Sequence, residues 1–286
     1  MKEVSRSEYI TRLDSKRGNR MVKVITGIRR CGKSYLLFHL FRRHLMEQGI
    51  HDDHIIALAL DDFMNQQYLQ PEALYRYVTE RIKDNEMHYV LLDEIQLVEG
   101  FEAVLNGFLH RDNLDVYVTG SNSRFLSTDI ITEFRGRGDE IRVSPFRFAD
   151  ICTLYDEHPQ VLLSKYFRFG GMPQVWQTEK TEEREQYLKN LFENVYLSDI
   201  INRYHLRGVE EIGILTDVLA SSVGSLTNTL KIKNTFQSER QSTISLNTIN
   251  SYIGYLKDAF LLSEARRYDV KGRQYISAQQ KYYFAD

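Results

Sequence analysis

The sequence predicts an α/β fold with a parallel sheet, followed by a mainly helical region. Apolar strand-like runs alternate with helix-like segments up to about residue 144, which is typical of parallel sheets. From Pro145 onward the strand-like runs become rare and helical patterning dominates. Because 286 residues are enough for more than one domain, we expect domains at 1–145, 146–210 and 211–286.

The elements of the first domain follow from apolar spacing and from the residues that begin and end helices. Gly49 ends one helix, and Pro71 suits the first turn of another. The run from His88 is almost continuously apolar, as in strands buried on both faces. In chain order we expect a polar helix at 5–18, a strand at 21–26, a helix at 33–48, a strand at 55–60, a helix at 71–84, a strand at 88–94, a helix at 101–111 and strands at 115–121 and 140–143.

A glycine-containing loop separates the first strand from the next helix. Its residues match the phosphate-loop pattern G-x-x-x-x-G-K-[ST] in full: Gly27, Ile28, Arg29, Arg30, Cys31, Gly32, Lys33 and Ser34. A chance match in a chain of this length is on the order of one in a hundred. Backbone N–H groups in such a loop point at phosphate oxygens, and the helix N-terminus adds partial positive charge. The sequence therefore predicts a site for ATP or ADP.

Individual roles follow from the motif. We expect Lys33 to reach the β- and γ-phosphates and the Ser34 hydroxyl to ligate Mg²⁺. Tyr35 continues the nucleotide-binding segment. The neighbouring pair Arg29 and Arg30 has no role that the sequence decides, since arginines here can contact phosphate, a partner or solvent.

Two acids end the strand at 88–94 and complete the predicted site. Asp93 is placed to bind Mg²⁺ through water, and Glu94 is placed to polarise the attacking water. Many strands end in acids, so this element gains its meaning from the phosphate loop upstream. A glutamate directly after the aspartate favours hydrolysis by the protein itself over phosphoryl transfer to a small molecule.

Two further groups have alternative interpretations. Ser121 follows the next strand on the same rim of the sheet, where its hydroxyl could bond the γ-phosphate or water, or could cap a helix together with Asn122 or Ser123. Arg137, in a short glycine-flanked basic segment with Arg135, could stabilise transition-state charge on a neighbouring subunit's phosphate. An ordinary surface ion pair explains these arginines equally simply.

The last part of the chain suggests a winged helix-turn-helix. Cap residues precede a helix near 246–256, another helix is expected at 212–223, and a basic hairpin follows, with strand-like runs at 263–269 and 273–276. If this domain contacts double-stranded DNA, the residues placed to do so are Asn247, Asn250, Arg267, Lys271 and Arg273. Winged helices also serve as protein docking modules, so both interpretations stay open. We expect Tyr166-Phe167 and Tyr282-Tyr283-Phe284 to lie in the core.

Composition limits the function classes. A net charge of −2 excludes a generally polycationic nucleic-acid binder, so any DNA contact needs a local basic face. The two cysteines, Cys31 and Cys152, cannot build a disulfide framework. No apolar run reaches the roughly 18 residues of a membrane span, and the N-terminus has no secretory pattern. We therefore expect a soluble, cytoplasmic protein.

Taken together, these motifs resemble a known family. The loop Gly27–Ser34, the Asp93-Glu94-Ile95-Gln96 element, Thr119-Gly120-Ser121, Gly136-Arg137 and Pro145-Phe146 resemble the AAA-14 type ATPase domain of the AAA+ superfamily. Downstream, Phe169-Gly170-Gly171-Met172-Pro173, Asp199-Ile200 and the segment 252–259 resemble the DUF4143 region. The resemblance covers nearly the whole chain.

The resemblance implies a five-stranded P-loop NTPase core of the ASCE type, a helical lid and a winged-helix domain. It implies, more weakly, a nuclease-like fold beyond the winged helix. Members of the family normally continue past the aromatic strand-like segment at which this chain ends, and such a segment would leave an unpaired edge, so we expect a truncated chain. No activity of the missing part is carried over.

The leading functional hypothesis is a Mg²⁺-dependent ATPase whose nucleotide state repositions a winged-helix domain, with DNA, a protein or a second copy as partner. The alternative is a slow nucleotide-dependent switch or scaffold that acts through protein contacts. A sequence-specific repressor is a third hypothesis, and it requires salt-sensitive binding to one duplex.

Overall fold

The computed structural model describes residues 3–121, 138–206, 209–240, 244–266 and 279–286. The chain divides into two compact units, Met1–Phe167 and Arg168–Asp286. The three predicted domains, with boundaries at 145 and 210, stay a prediction. Among the helices of the described residues, none is long and apolar enough to cross a membrane.

The first unit contains every strand that the sequence predicts for the sheet. Its helix α2 is built of Lys33–Tyr35, a π-helical stretch Leu36–Phe41 and Arg42–Glu47. The remaining elements, in chain order, are α1 Ser7–Asp14, β1 Val22–Thr26, β2 Ile55–Ala59, α3 Pro71–Thr79, β3 His88–Asp93, α4 Phe101–Leu109, β4 Leu114–Thr119, β5 Gly138–Arg142, α5 Phe148–Leu154 and α6 Pro159–Phe169, whose last two residues belong to the second unit.

The five strands form one parallel sheet in the order β2-β3-β4-β1-β5. Strand β4 therefore lies between β1 and β3, and its register pairs Ile25 with Thr119 and Leu92 with Val118. All residues of β1, β3 and β4 are buried, as expected for parallel strands covered on both faces. This order brings the carboxyl ends of β1 and β3 to either side of β4, and it confirms the predicted P-loop NTPase fold.

Helices cover the two faces of the sheet. On one face, Val22 and Val24 belong to a buried cluster with Leu74 of α3 and Leu105 of α4. On the other face, the ring of Phe41 in α2 lies 4.6 Å from that of Tyr117 in β4, centre to centre. Apolar residues at helical spacing on α2 and α3 thus pack against the sheet and hold it in place. The sheet in turn positions the loops at its carboxyl edge.

The second unit is helical and ends in an antiparallel strand pair. The elements are α7 (Thr181–Asn190, a π-helical stretch Leu191–Leu197 and Ser198–Tyr204), α8 Val209–Ser221, α9 Thr229–Arg240, α10 Leu246–Asp258, β6 Leu262–Ala265 and β7 Lys281–Phe284. An isolated antiparallel bridge joins Thr227, between α8 and α9, to Gln280. Buried Leu215, Phe236 and Ile253 come from the three helices α8, α9 and α10.

The C-terminal strands differ from the expected hairpin. The partner of β6 is β7, where Leu262 pairs with Phe284 and Ala265 with Lys281. The aromatic segment expected to be an unpaired edge is thus hydrogen-bonded to β6. The predicted second strand at 273–276 lies outside the described residues. The strand-like character expected of the aromatic segment is thus present, and the expectation that it lacks a partner strand is wrong.

The aromatic segments are only partly core. Tyr282 is buried, whereas Tyr283 is exposed on the other side of β7 because strand side chains alternate in direction. Phe167 is 79% exposed, so its assignment to the core is wrong. It lies on α6, whose buried positions include Leu162 and Phe169.

The glycine-rich break at 170–173 has a clear structural role in the second unit. Gly170 adopts a left-handed φ of 66°, and the N–H of Gly171 donates to the Asp286 carboxylate at 2.6 Å. The carbonyl of Gly170 accepts a hydrogen bond from the Trp176 indole at 2.9 Å. The turn therefore holds the segment after β7.

Candidate functional site

The candidate site lies at the carboxyl edge of the sheet, where β1 leads into the phosphate-loop segment Gly27–Ser34. Gly32 begins helix α2 with a left-handed φ of 95°, and Arg30 is also left-handed with a φ of 65°. The loop packs against the segment after β5, because the buried Cys31 thiol lies 3.5 Å from the Val143 carbonyl oxygen. Burial raises the pKa of that thiol, so it stays neutral and acts as a small packing group.

Gly27 is required by close packing against the segment after β5. Its φ is 142°, and a Cβ added there would lie 2.2 Å from the Val143 carbonyl oxygen. We expect Gly27→Ala to destabilise the protein by about 1–3 kcal/mol or more, because the added Cβ forces the loop away from the segment after β5. Thermal unfolding of Gly27→Ala and of Gly100→Ala checks this. Gly100 also has a positive φ but open space around its Cβ position, so an equal loss in both variants would contradict the steric explanation.

The lysine of the loop is buried and held by the loop itself. The ammonium of Lys33 donates to the carbonyl oxygens of Gly27 and Ile28, each at 3.1 Å. These contacts place a positive charge inside the curve of the loop. Ser34 and Tyr35 lie on the first turn of α2 and are exposed, and Arg29 and Arg30 are exposed on the loop.

Strand β3 delivers Asp93 to the same place. Asp93 is 3% exposed, its carboxylate accepts a hydrogen bond from the Thr119 hydroxyl, and the Ser34 hydroxyl lies beside the same carboxylate. Burial raises the pKa of Asp93, while the two hydroxyl contacts oppose that shift. The structure thus brings together the hydroxyl and the carboxylate that the sequence predicts as Mg²⁺ ligands, although they are 59 positions apart.

Glu94 follows in a strained backbone conformation. Its φ of 53° is left-handed, which is unfavourable for a residue with a side chain and is common at functional sites. Its N–H donates to Thr119 Oγ1 at 2.9 Å, and its carboxylate accepts hydrogen bonds from Ser121 at 3.2 Å and from the Gln96 amide. The turn aims the carboxylate along the rim rather than into the sheet.

Thr119 makes contacts with both acids that sequence reasoning missed. Its hydroxyl accepts from the Glu94 N–H and donates to Asp93, so one side chain positions both acids. Ser121, which the sequence singled out, touches Glu94 rather than Asp93. The sequence signals for Thr119 were its place at the end of a strand and its part in the family resemblance, and the strand order needed to interpret them is a tertiary property.

Several predicted site residues lie outside the described residues. They are Asn122, Ser123, Arg135, Arg137, Arg267, Lys271 and Arg273. In the second unit, Asn247 and Asn250 are exposed on helix α10, which begins with Ser245 as N-cap. Asn250 Oδ1 also accepts a hydrogen bond from the Thr229 hydroxyl at 2.8 Å, which ties the first turns of α9 and α10 together.

Two family models match the chain. The model AAA_14, described as an AAA domain, matches residues 19–152. The model described as a domain of unknown function (DUF8612) matches residues 160–286. The predicted resemblance of the C-terminal region to DUF4143 is therefore wrong. It was based on short segments such as Gly170–Pro173, and such segments do not separate one helical family from another.

Two relatives are uncharacterized proteins. One, from Haemophilus influenzae, is 35% identical over 292 residues, which cover 99% of this chain and 72% of the relative. The other, MJ1544 from Methanocaldococcus jannaschii, is 27% identical over 266 residues, covering 87% of this chain and 57% of the relative. This chain thus spans about three quarters of the first protein and just over half of the second.

Two solved structures are similar to this chain over most of its length. The crystal structure of Cdc6p from Pyrobaculum aerophilum gives a TM-score of 0.46 at 12% identity, covering 98% of this chain and 90% of that chain. The Aeropyrum pernix Orc1 protein in complex with DNA gives a TM-score of 0.40 at 11% identity, covering 98% and 89%. Similarity at this level says nothing about what this chain binds.

Proposed function

Because the chain belongs to the family of the Haemophilus influenzae relative and carries an AAA domain, we propose that this nucleotide-binding protein is a Mg²⁺-dependent ATPase. The observation that supports this best is the placement of Asp93, whose buried carboxylate lies beside the Ser34 hydroxyl, with Glu94 next in the chain. A neighbouring hydroxyl and carboxylate suit the coordination of a Mg²⁺ ion, which prefers oxygen ligands. The adjoining loop suits the phosphates of ATP.

Each residue then has a role in hydrolysis. Lys33 leaves the carbonyls of Gly27 and Ile28 and pairs with phosphate oxygens, where its charge offsets negative charge in the transition state. Ser34 and Asp93 would hold Mg²⁺, whose charge would offset negative charge on the phosphates. Glu94 orients the water that attacks the γ-phosphorus and accepts its proton, and the bond to the β-phosphate oxygen breaks to give ADP and inorganic phosphate.

The variant Glu94→Gln tests the role of the Glu94 carboxylate as the base. We expect this variant to bind ATP with an affinity close to that of the wild type, while kcat falls about 100-fold or more, because the amide cannot accept the proton of the attacking water. Steady-state phosphate release and equilibrium binding of a fluorescent ATP analogue measure the two quantities. Glu99→Gln is the matched control, since Glu99 is an exposed glutamate five residues later.

The outcomes separate the two hypotheses for this site. Unchanged turnover in Glu94→Gln would contradict the role of Glu94 as the base. Tight ATP binding by the wild type, with turnover that is slow and the same in both proteins, favours the alternative of a nucleotide-dependent switch that acts through protein contacts.

The second unit supports a second proposal, contact with double-stranded DNA. Its order α8, bridge, α9, α10, β6, β7 is that of a winged helix, and Asn247 and Asn250 lie exposed near the start of α10. The N-terminal residues of such a helix reach base edges in the major groove. We propose that the nucleotide state of the first unit regulates this contact.

Fluorescence anisotropy with labelled duplexes tests the DNA proposal. We expect binding that weakens as salt rises, that differs between ATP and ADP, and that Asn247→Ala reduces by about 5- to 100-fold, as for loss of one base contact worth about 1–3 kcal/mol. Equal and weak binding to all duplexes in both nucleotide states would contradict it. Ser251→Ala is the control for general damage to α10, because Ser251 is exposed on the same helix.

A further inference from the structure

A buried arginine from outside the loop holds the back of the phosphate loop. Arg6 is 6% exposed, and its guanidinium donates to the carbonyl oxygen of Cys31 at 3.0 Å and to that of Ser144 at 2.8 Å. The first acceptor lies inside the loop, and the second lies just after β5. The guanidinium also lies over the Phe146 ring, 4.7 Å from its centre. One side chain therefore connects the N-terminal helix, the phosphate loop and the segment after β5.

Arg6 is kept in this place at an energetic cost. Its backbone is left-handed, with a φ of 46°, which costs a residue with a side chain on the order of 1–3 kcal/mol. Removal of its charge from water is also unfavourable, and this desolvation lowers the pKa of the guanidinium. A residue that carries both costs needs compensation from its hydrogen bonds, and one of these bonds ends on the loop at the Cys31 carbonyl.

The contact with the Cys31 carbonyl determines the direction of an N–H group in the loop. A trans peptide is planar, so its C=O and the N–H of the next residue point in opposite directions. When Arg6 holds the Cys31 carbonyl toward the back of the loop, the Gly32 N–H must point away from Arg6. That direction leads to the front of the loop, where backbone N–H groups receive phosphate oxygens.

The peptide that Arg6 holds is also one that turns over easily. A flip of the peptide between Cys31 and Gly32 changes ψ of the first residue and φ of the second. Gly32 has a φ of 95° and, as glycine, populates both signs of φ at little cost. The glycine that the motif requires at this position therefore leaves the Cys31–Gly32 peptide free to flip. A contact from outside the motif is needed to prevent that flip.

We propose that Arg6 is a positioning residue that locks the Cys31–Gly32 peptide in its phosphate-binding orientation. This inference rests on the proposed nucleotide site and adds to it a residue that lies outside the phosphate-loop motif. Arg6 touches the loop from behind and makes no contact with phosphate. The planar guanidinium of Arg6 can donate to both carbonyls at once. A lysine ammonium at this position fits the same two acceptors less well.

Nucleotide binding by Arg6→Ala, Arg6→Lys and Tyr9→Phe tests this proposal. Tyr9→Phe is the matched control: the Tyr9 hydroxyl accepts a hydrogen bond from the Ser144 N–H at 3.1 Å, so its loss weakens the same attachment without touching the loop. We expect the Kd for ATP and for ADP to rise tenfold or more in Arg6→Ala, less in Arg6→Lys, and less than twofold in Tyr9→Phe. The kcat at saturating ATP should fall much less than the affinity. Arg6→Lys keeps the charge, and it carries the test if Arg6→Ala does not fold.

Three outcomes would overturn the proposal. Wild-type affinity in both Arg6 variants, with binding lost in Lys33→Ala, contradicts the role of Arg6 and leaves the proposed function intact. An equal loss in Tyr9→Phe and Arg6→Ala shows that general attachment of the N-terminal helix matters, not the peptide. A wild-type protein that binds neither ATP nor ADP contradicts the proposed function and this inference together.

Discussion

Replacement of Lys33 by alanine is expected to weaken ATP binding by about 10- to 100-fold, as the loss of a charged hydrogen-bond donor worth about 1.5–3 kcal/mol predicts. The ammonium of Lys33 is buried in the curve of the loop, bonded to the Gly27 and Ile28 carbonyls, and is poised to transfer to phosphate. In the variant, these carbonyls face incoming phosphate oxygens with no positive charge between them.

Isothermal titration calorimetry with ATP and Mg²⁺ measures this loss. Lys83→Ala serves as the control, because Lys83 is an exposed lysine of the same unit that pairs with Asp53 at 2.7 Å. Full affinity in Lys33→Ala would show that the loop Gly27–Ser34 is not where the phosphates bind. Equal weakening in both variants would point to a general effect of charge.

Replacement of Asp115 by alanine is expected to destabilise the protein by about 3–5 kcal/mol, because it leaves a buried charge without its partner. Lys23 on β1 is 0% exposed and pairs with Asp115 on β4, which is 2% exposed. The Asp115 carboxylate also accepts hydrogen bonds from the Tyr117 hydroxyl at 2.9 Å and from the Gly18 N–H at 3.1 Å. All of these groups lose their acceptor in the variant.

Chemical denaturation measures the loss, and its pH dependence has a definite sign. Burial lowers the pKa of Lys23, and loss of Asp115 lowers it further. The unfolded chain then binds more protons than the folded one, so the stability of Asp115→Ala should rise as pH increases toward the ordinary lysine pKa. Asp112→Ala is the control, because the Arg20–Asp112 pair is exposed and we expect a change of about 0–1 kcal/mol. A similarly small change in Asp115→Ala would contradict the importance of the buried pair.

The features that the sequence predicted correctly are local ones. The phosphate loop and the strand before Asp93 are each contained in a few consecutive residues, and the alternation of strands and helices is a series of such local patterns. The phosphate loop and Asp93 lie close together because parallel strands present their carboxyl ends at the same edge of the sheet. For this reason the sequence alone was enough to assign Ser34 and Asp93 to one site.

The features that were missed depend on partners far apart in the sequence. Thr119 connects Asp93 and Glu94 only because β4 lies next to β3, and Arg6 reaches Ser144 across 138 positions. The buried Lys23–Asp115 pair resembles two ordinary surface charges in the sequence. The prediction for the exposed Phe167 failed for a related reason, since hydrophobicity alone does not tell which side of a helix a residue occupies.

A crystal structure of Glu94→Gln grown with ATP and Mg²⁺ tests the proposed site most directly. We expect the β- and γ-phosphates inside the curve of Gly27–Ser34, the Lys33 ammonium moved from the loop carbonyls onto phosphate, and Mg²⁺ at the Ser34 hydroxyl on the side of Asp93. A nucleotide bound elsewhere, or a loop in which Lys33 stays on the carbonyls of Gly27 and Ile28, would contradict the proposal.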